Sequence, residues 1–272
     1  MSPLRFSPHC LVSAAVLLLA WGFTQAAHSG QTCEAKKPSP ETVARSMDLA
    51  LHTAQTLEAQ YQQSGTRVVL LARAGQDLSA YQQTWSHVGW AYRSADGPWR
   101  VVHKLNQCGS DQSTLMRQGL GEFFLDDLWR YQAIWAAAPA PVADALWPLL
   151  QDDQRVQRLH ERRYSMLSYA WGTRYQQSNQ WALETLALAF EPGIAQREQA
   201  QAWLRFKGYR PASLRINART RLGARMTRAN IAFDDHPNEK RFASQIETIT
   251  ADSVLQWLPQ SLQFATLQQV GQ

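Results

Sequence analysis

The chain has 272 residues, of which 45% are hydrophobic and 18% are charged, and no repeat or linker-like stretch divides it. This length suits one sizeable domain and excludes a repeat array. Lysine and arginine number 27 against 22 aspartates and glutamates, for a formal charge of +5. The sequence lacks phosphate-binding glycine loops, zinc-finger spacings and dinucleotide fingerprints, so we expect neither a cofactor nor a metal.

The first 26 residues have the features of a cleaved signal peptide. Arg5 supplies a weak positive charge, residues 11–23 form an apolar run too short to span a membrane as a helix, and small residues precede Ala27. An uncleaved anchor is the alternative. We therefore expect a periplasmic or secreted product in which residues 27–272 form a single α+β domain. Export argues against nucleic acid as a partner.

Removal of this segment would leave two cysteines, Cys33 and Cys108. In an oxidising compartment an isolated pair most simply forms one disulfide. The alternative makes Cys108 a nucleophile, because His103 lies five residues before it. The sequence around Cys108 is typical of a loop and offers no helix start to lower a thiol pKa, which favours the disulfide.

In the first part of the chain, hydrophobic periodicity predicts a helix, three strands and three more helices. In that order they span residues 41–63, then 67–73, 84–93 and 99–105, then 121–134, 142–150 and 152–163. A turn at residues 95–98 joins the second strand to the third. The last two helices are expected to break near Pro148.

Residues 179–190 are apolar on nearly all sides, which is typical of a buried helix. Beyond it we predict a helix, two strand-like segments and a short helical or extended segment, at residues 195–207, 214–231, 242–250 and 253–258. The order of elements predicts an α+β fold in which an antiparallel sheet packs on a buried central helix.

Two histidines lie on neighbouring predicted strands, where alternate side chains share a face. A two-residue turn would oppose Trp90 to His103 and separate His87 from His103. A three-residue turn would oppose Gly89 to His103 and place both histidines on one face. Pro98 cannot donate to the ladder, which favours the longer turn. Gly89 would also leave room for another chain element to approach.

Ser178 stands at the start of the buried helix and has two interpretations. Serine is a favoured N-cap, which explains it structurally. Alternatively Ser178 is a nucleophile, with His87 as its general base, His103 orienting the imidazole and the helix N-terminus stabilising an oxyanion. Such a serine would depend wholly on the base, since a helix dipole cannot bring a hydroxyl pKa near neutrality.

The chain is similar to members of an exported bacterial family, domain of unknown function 2145, over nearly the whole mature length. The resemblance rests on residues 72–78, 86–89, 102–106, 108–109 and 178–181. More distantly, the order of histidine strand, second strand and helix resembles permuted papain-like hydrolases of the NlpC/P60 type, whose nucleophile is a cysteine at the start of the buried helix. That resemblance implies a permuted papain-like architecture, with His87 as base, His103 as orienting residue and Ser178 in place of cysteine.

Two functions follow for an exported cell-envelope protein. The first is a hydrolase or acyl transferase acting on amide or ester bonds of peptidoglycan peptides or lipids, a substrate class inferred from compartment and analogy. The second is a catalytically inactive protein that binds a ligand or partner in the same place. The basic stripe at residues 205–228 suits an anionic surface, or a solvated face whose arginines cover apolar surface.

Overall fold

The protein is described by a computed structural model covering residues 37–126 and 128–271. Six strands form an antiparallel sheet in the order β4-β3-β2-β1-β5-β8. They are β1 (Val68–Ala74), β2 (His87–Arg93), β3 (Trp99–Asn106), β4 (Ser113–Gly119), β5 (Arg130–Ala137) and β8 (Gln268–Gly271). A smaller antiparallel sheet pairs β6 (Ala212–Arg215) with β7 (Gln245–Thr248).

Helices occupy most of the remaining described chain. In chain order they are α1 (Pro40–Ser64), α2 (Leu120–Phe124), α3 (Ala140–Gln151), α4 (Asp153–Val156), α5 (Ser178–Phe190), α6 (Arg197–Phe206), α7 (Ala218–Thr227), α8 (Asn238–Phe242) and α9 (Ala251–Leu262). Among these described helices, none combines the length and the apolar character that crossing a bilayer requires.

The large sheet is covered by apolar side chains on both faces, and strand β1 contributes to both of these core clusters. Leu70 belongs to a core cluster with Trp181 of α5, whereas the next residue, Leu71, belongs to a second cluster with Leu57 of α1. Successive side chains of a strand point to opposite faces, so both clusters draw on β1. Every residue of β1 is buried, which its apolar sequence predicts for all of them except Arg73.

Helix α5 is the buried central helix that the sequence predicts. All its residues from Ser178 to Ala189 are buried, and the indole nitrogen of Trp90 on β2 donates to the carbonyl of Ala182 over 2.9 Å. A helix apolar on nearly all sides is stable only where protein surrounds it. The α+β class, with an antiparallel sheet packed on a buried helix, is therefore confirmed.

Several predicted elements are wrong in type or extent. The helix predicted at residues 121–134 ends at Phe124, and β5 follows because the segment pairs with β1 on one side and β8 on the other. The strand-like segment at residues 214–231 contains α7, and α3 runs past Pro148 to Gln151. The helix predicted at residues 152–163 shrinks to α4, and the strand-like segment at residues 242–250 is reduced to β7.

Candidate functional site

The two predicted histidines lie side by side on one face of the sheet. The β2–β3 register pairs Trp90 with Val102, which places Gly89 next to His103 and both imidazoles on one face. Nε2 of His87 lies 2.8 Å from Nδ1 of His103, and the ring centroids are 5.1 Å apart. The prediction from the longer turn is confirmed for this pair.

A third side chain sets the direction of the hydrogens in this pair. Nε2 of His103 lies 2.7 Å from the amide oxygen of Gln118 on β4. Because that oxygen only accepts, Nε2 of His103 carries its hydrogen and Nδ1 of His103 accepts from Nε2–H of His87. The other nitrogen of His87, Nδ1, is then left with a free lone pair.

Within the described part of the chain no hydrogen bond reaches Nδ1 of His87, and Nδ1 is not among the buried side-chain nitrogens that lack a partner. His87 as a whole is half-buried. We name the series Gln118–His103–His87 the histidine relay; it is anchored in the sheet and ends in an acceptor that no described residue engages.

Burial and a neighbouring cation hold the two imidazoles in the neutral state. Desolvation, and next the charge of Arg73, lower the pKa of His103 to about 3 and that of His87 well below 6.5. Arg73 is itself buried: its guanidinium donates to Asp126 over 2.6 Å and to the carbonyl of Phe123. The Phe123 ring contacts both imidazoles. At neutral pH the relay therefore accepts hydrogen bonds but binds protons weakly.

Ser178 begins α5 as predicted, but it is not the N-cap. The N-cap is Gln177, whose side chain accepts from the backbone nitrogen of Asn179, so the interpretation of Ser178 as the cap is wrong. Its hydroxyl donates to the carbonyl of Lys104 over 2.9 Å. Among the described residues, neither histidine is a hydrogen-bond partner of Ser178.

The start of α5 meets the sheet where β2 and β3 separate. The paired part of that ladder stops short of Val88, whose backbone nitrogen donates to the side chain of Asn179 over 3.1 Å. On the other strand, the carbonyl of Lys104 accepts from Ser178. Two polar side chains of α5 thus satisfy buried backbone groups that the strands no longer satisfy for each other. This gives Ser178 a structural role.

The tight approach at Gly89 gives a direct test of the relay's packing. A Cβ added there would lie 2.6 Å from Cγ1 of Val101 and 3.1 Å from Cβ of His103. We expect Gly89→Ala to lower the free energy of unfolding by about 1–3 kcal/mol and to shift the imidazole NMR signals of His103. Gly193→Ala is the control, because a Cβ there meets nothing within 4 Å. Equal losses in the two variants would contradict close packing at Gly89.

The structure describes only one of the two cysteines in the proposed disulfide. Cys108 lies in the exposed turn between β3 and β4, as its loop-like sequence predicts. Cys33, like the predicted signal peptide, lies outside the described residues. The Cys33–Cys108 disulfide therefore stays a prediction.

Sequence reasoning missed two residues that shape the site. Arg73 is the last residue but one of the buried strand β1, and a charge in that position requires a partner, which is a usable signal. Gln118 left no such signal, because β4 is an edge strand with mostly half-buried residues and no clear alternation. Its role follows only from the pairing of β3 with β4.

A family model with the description "Uncharacterized protein conserved in bacteria (DUF2145)" matches residues 60–258. The matched span includes the whole histidine relay and Ser178. Comparisons with curated proteins and with solved structures gave no match.

Proposed function

The chain belongs to this bacterial family, and we propose that it is an exported cell-envelope protein that binds a hydrogen-bond-donating ligand at His87. The observation that carries the proposal is Nδ1 of the half-buried His87, which ends the histidine relay and has no hydrogen-bond partner among the described residues. An acceptor held in one tautomer and one orientation is prepared to receive an amide N–H or a hydroxyl. The predicted signal peptide supports a periplasmic or secreted location.

Binding is favoured over turnover by the state of the two groups that a serine hydrolase needs. A nucleophilic serine donates its hydrogen to the base, whereas Ser178 donates to the Lys104 carbonyl. An efficient general base has a pKa near the working pH, whereas the pKa of His87 is held well below 6.5 by burial. Both differences reduce the driving force for covalent catalysis.

The proposed ligand class is peptidoglycan peptide, whose amides supply hydrogen-bond donors. The class follows from the expected compartment and from the resemblance to permuted papain-like hydrolases of the NlpC/P60 type. The order of histidine strand, second histidine strand and buried helix supports that architecture, with the relay corresponding to its base and orienting residue.

A second candidate function is hydrolysis or acyl transfer on amide or ester bonds of peptidoglycan peptides or lipids. The arrangement of His87 held by His103 favours it, since a base oriented by a second polar group is the usual unit of acid–base catalysis. In this second function His87 activates a water molecule, and the Ser178 hydroxyl keeps its hydrogen bond to the Lys104 carbonyl.

A binding and product assay on the same samples tests both functions. Purified protein is mixed with soluble disaccharide–tetrapeptide fragments; calorimetry measures binding, and mass spectrometry detects cleaved products. We expect binding without cleavage, weakened about tenfold in His87→Phe, because one hydrogen bond worth about 1.4 kcal/mol is lost while the ring packing is kept.

Two variants serve as controls. His52→Phe makes the same change at an exposed histidine on α1 and should leave binding intact. Ser178→Ala should also bind normally while losing about 1 kcal/mol of stability. Products that require His87 would establish the second function instead. If neither binding nor product formation is detected, both functions are contradicted for this ligand class.

A further inference from the structure

Helix α7 turns its large apolar side chains toward solvent. Ala224 packs against the small cluster beneath the β6–β7 sheet, but Leu222 and Met226 are 62% and 78% exposed. Residues four apart lie on one side of a helix, so these two side chains form a single outward ridge. An ordinary surface helix buries its apolar side, and α7 does the reverse, with no residue buried.

The chain segment that contains this ridge carries only positive charges. No aspartate or glutamate occurs between Glu198 and Asp234. The basic residues of that interval are Arg205, Lys207, Arg210, Arg215, Arg219, Arg221, Arg225 and Arg228. On α7, Arg219 and Arg225 are exposed, and neither forms a salt bridge with a described acidic residue.

A third exposed apolar side chain lies in a segment whose backbone is hydrogen-bonded to the residues before α7. Phe242, at the end of α8, is 73% exposed. Two residues later the carbonyl of Ser244 accepts from the backbone nitrogen of Ile216, two residues before α7 begins. We call Leu222, Met226 and Phe242, with the arginines of α7, the α7 surface.

We infer that the α7 surface docks the protein on a bilayer that contains anionic phospholipid. A helix with apolar side chains on its outer side and arginines beside them suits the boundary between headgroups and acyl chains, where Leu222 and Met226 would insert while the guanidiniums contact phosphates. A second copy is a poor occupant, because it would bring two unneutralised arginine clusters together. A soluble polyanion would use the arginines but leave the apolar ridge in water. The inference is independent of the histidine relay.

Vesicle cosedimentation tests this assignment. The exported protein is purified, and mass spectrometry identifies its N-terminus. It is then mixed with two kinds of vesicle, one of pure phosphatidylcholine and one of equal parts phosphatidylcholine and phosphatidylglycerol, each in low and in high salt. We expect binding to the anionic vesicles only, weakened by salt. Arg219→Gln combined with Arg225→Gln should weaken binding about thirtyfold, since each basic residue near such a surface contributes about a factor of five. Leu222→Ser combined with Met226→Ser should weaken it at least about tenfold.

Matched controls separate the α7 surface from total charge and hydrophobicity. Arg155→Gln with Arg162→Gln removes the same charge from exposed positions elsewhere, and Val43→Ser with Leu51→Ser removes exposed apolar side chains from α1. Both controls should bind like the wild type, and all variants share one N-terminus. The inference is overturned if the wild type does not bind anionic vesicles, or if the control variants lose as much binding as the variants of the α7 surface. It is also overturned if the variant with serines at 222 and 226 binds normally while the variant with glutamines at 219 and 225 does not. That last pattern would indicate a soluble polyanion.

Discussion

Replacing Glu184 with glutamine is expected to lower the free energy of unfolding by about 3–5 kcal/mol, among the largest effects of any single substitution in this chain. Glu184 lies inside α5 with no exposed surface. Its carboxylate accepts two hydrogen bonds from Arg197, at 2.7 and 3.1 Å, and others from Gln176 and Gln201. The variant would leave the Arg197 guanidinium buried without a counter-charge.

The buried position of this pair is what makes the loss large. Arg197 is itself only 8% exposed, and an ion taken out of water regains its solvation only through its partners. Glutamine keeps the shape of glutamate but presents an amide group to donors that need an acceptor. Lys104, linked to the same network through Gln176, would also lose a nearby negative charge.

Urea denaturation of matched variants measures this effect. Glu58→Gln is the control, because Glu58 pairs with Arg93 in a partly exposed salt bridge and solvent screens such a pair, so only a small fraction of the loss is expected. Arg197→Gln together with Glu184→Gln should recover part of the stability, since no charge is left unpaired. Similar losses for Glu184→Gln and Glu58→Gln would show that the buried pair is not energetically distinct.

Acidification from pH 7 to pH 5 is expected to cost the wild-type protein about 2 kcal/mol of stability through His103 alone. The pKa of this histidine is about 3 in the folded protein, against 6.5 when free, because burial disfavours its charged form. At a pH between these two pKa values, His103 is protonated in the unfolded chain and neutral in the folded protein. His103 therefore costs the fold almost nothing above pH 6.5, and its cost grows as the pH falls toward 3, to a total of about 5 kcal/mol.

The comparison of pH profiles isolates this contribution. Unfolding free energies of the wild type and of His103→Gln are measured from pH 7 to pH 4, and the variant should show the shallower decline. His87 acts in the same direction, since its pKa is also lowered by burial. His52→Gln, at an exposed histidine of α1, should keep the wild-type slope. Parallel curves for the wild type and His103→Gln would mean that His103 is not held neutral.

Features that depend on local periodicity could be predicted from the order of residues. The apolar run of β1, the alternation along β2 and β3 and the unbroken apolar character of α5 each predict an element that the structure contains. The placement of His87 beside His103 also followed from sequence, because Pro98 and the turn before it limit the strand register to two choices. Such patterns predict burial and strand register because apolar side chains must face away from water.

Features that depend on partners distant in the chain could not be predicted, because those partners meet only in the folded protein. Residues 130–137 form a strand because β1 and β8 supply its hydrogen bonds, and the same apolar residues would otherwise suit a helix. Ser178 donates to Lys104, and His103 is held by Gln118, because elements far apart in sequence meet there. A hydroxyl or an imidazole is compatible with many partners, and only the packed fold selects one of them.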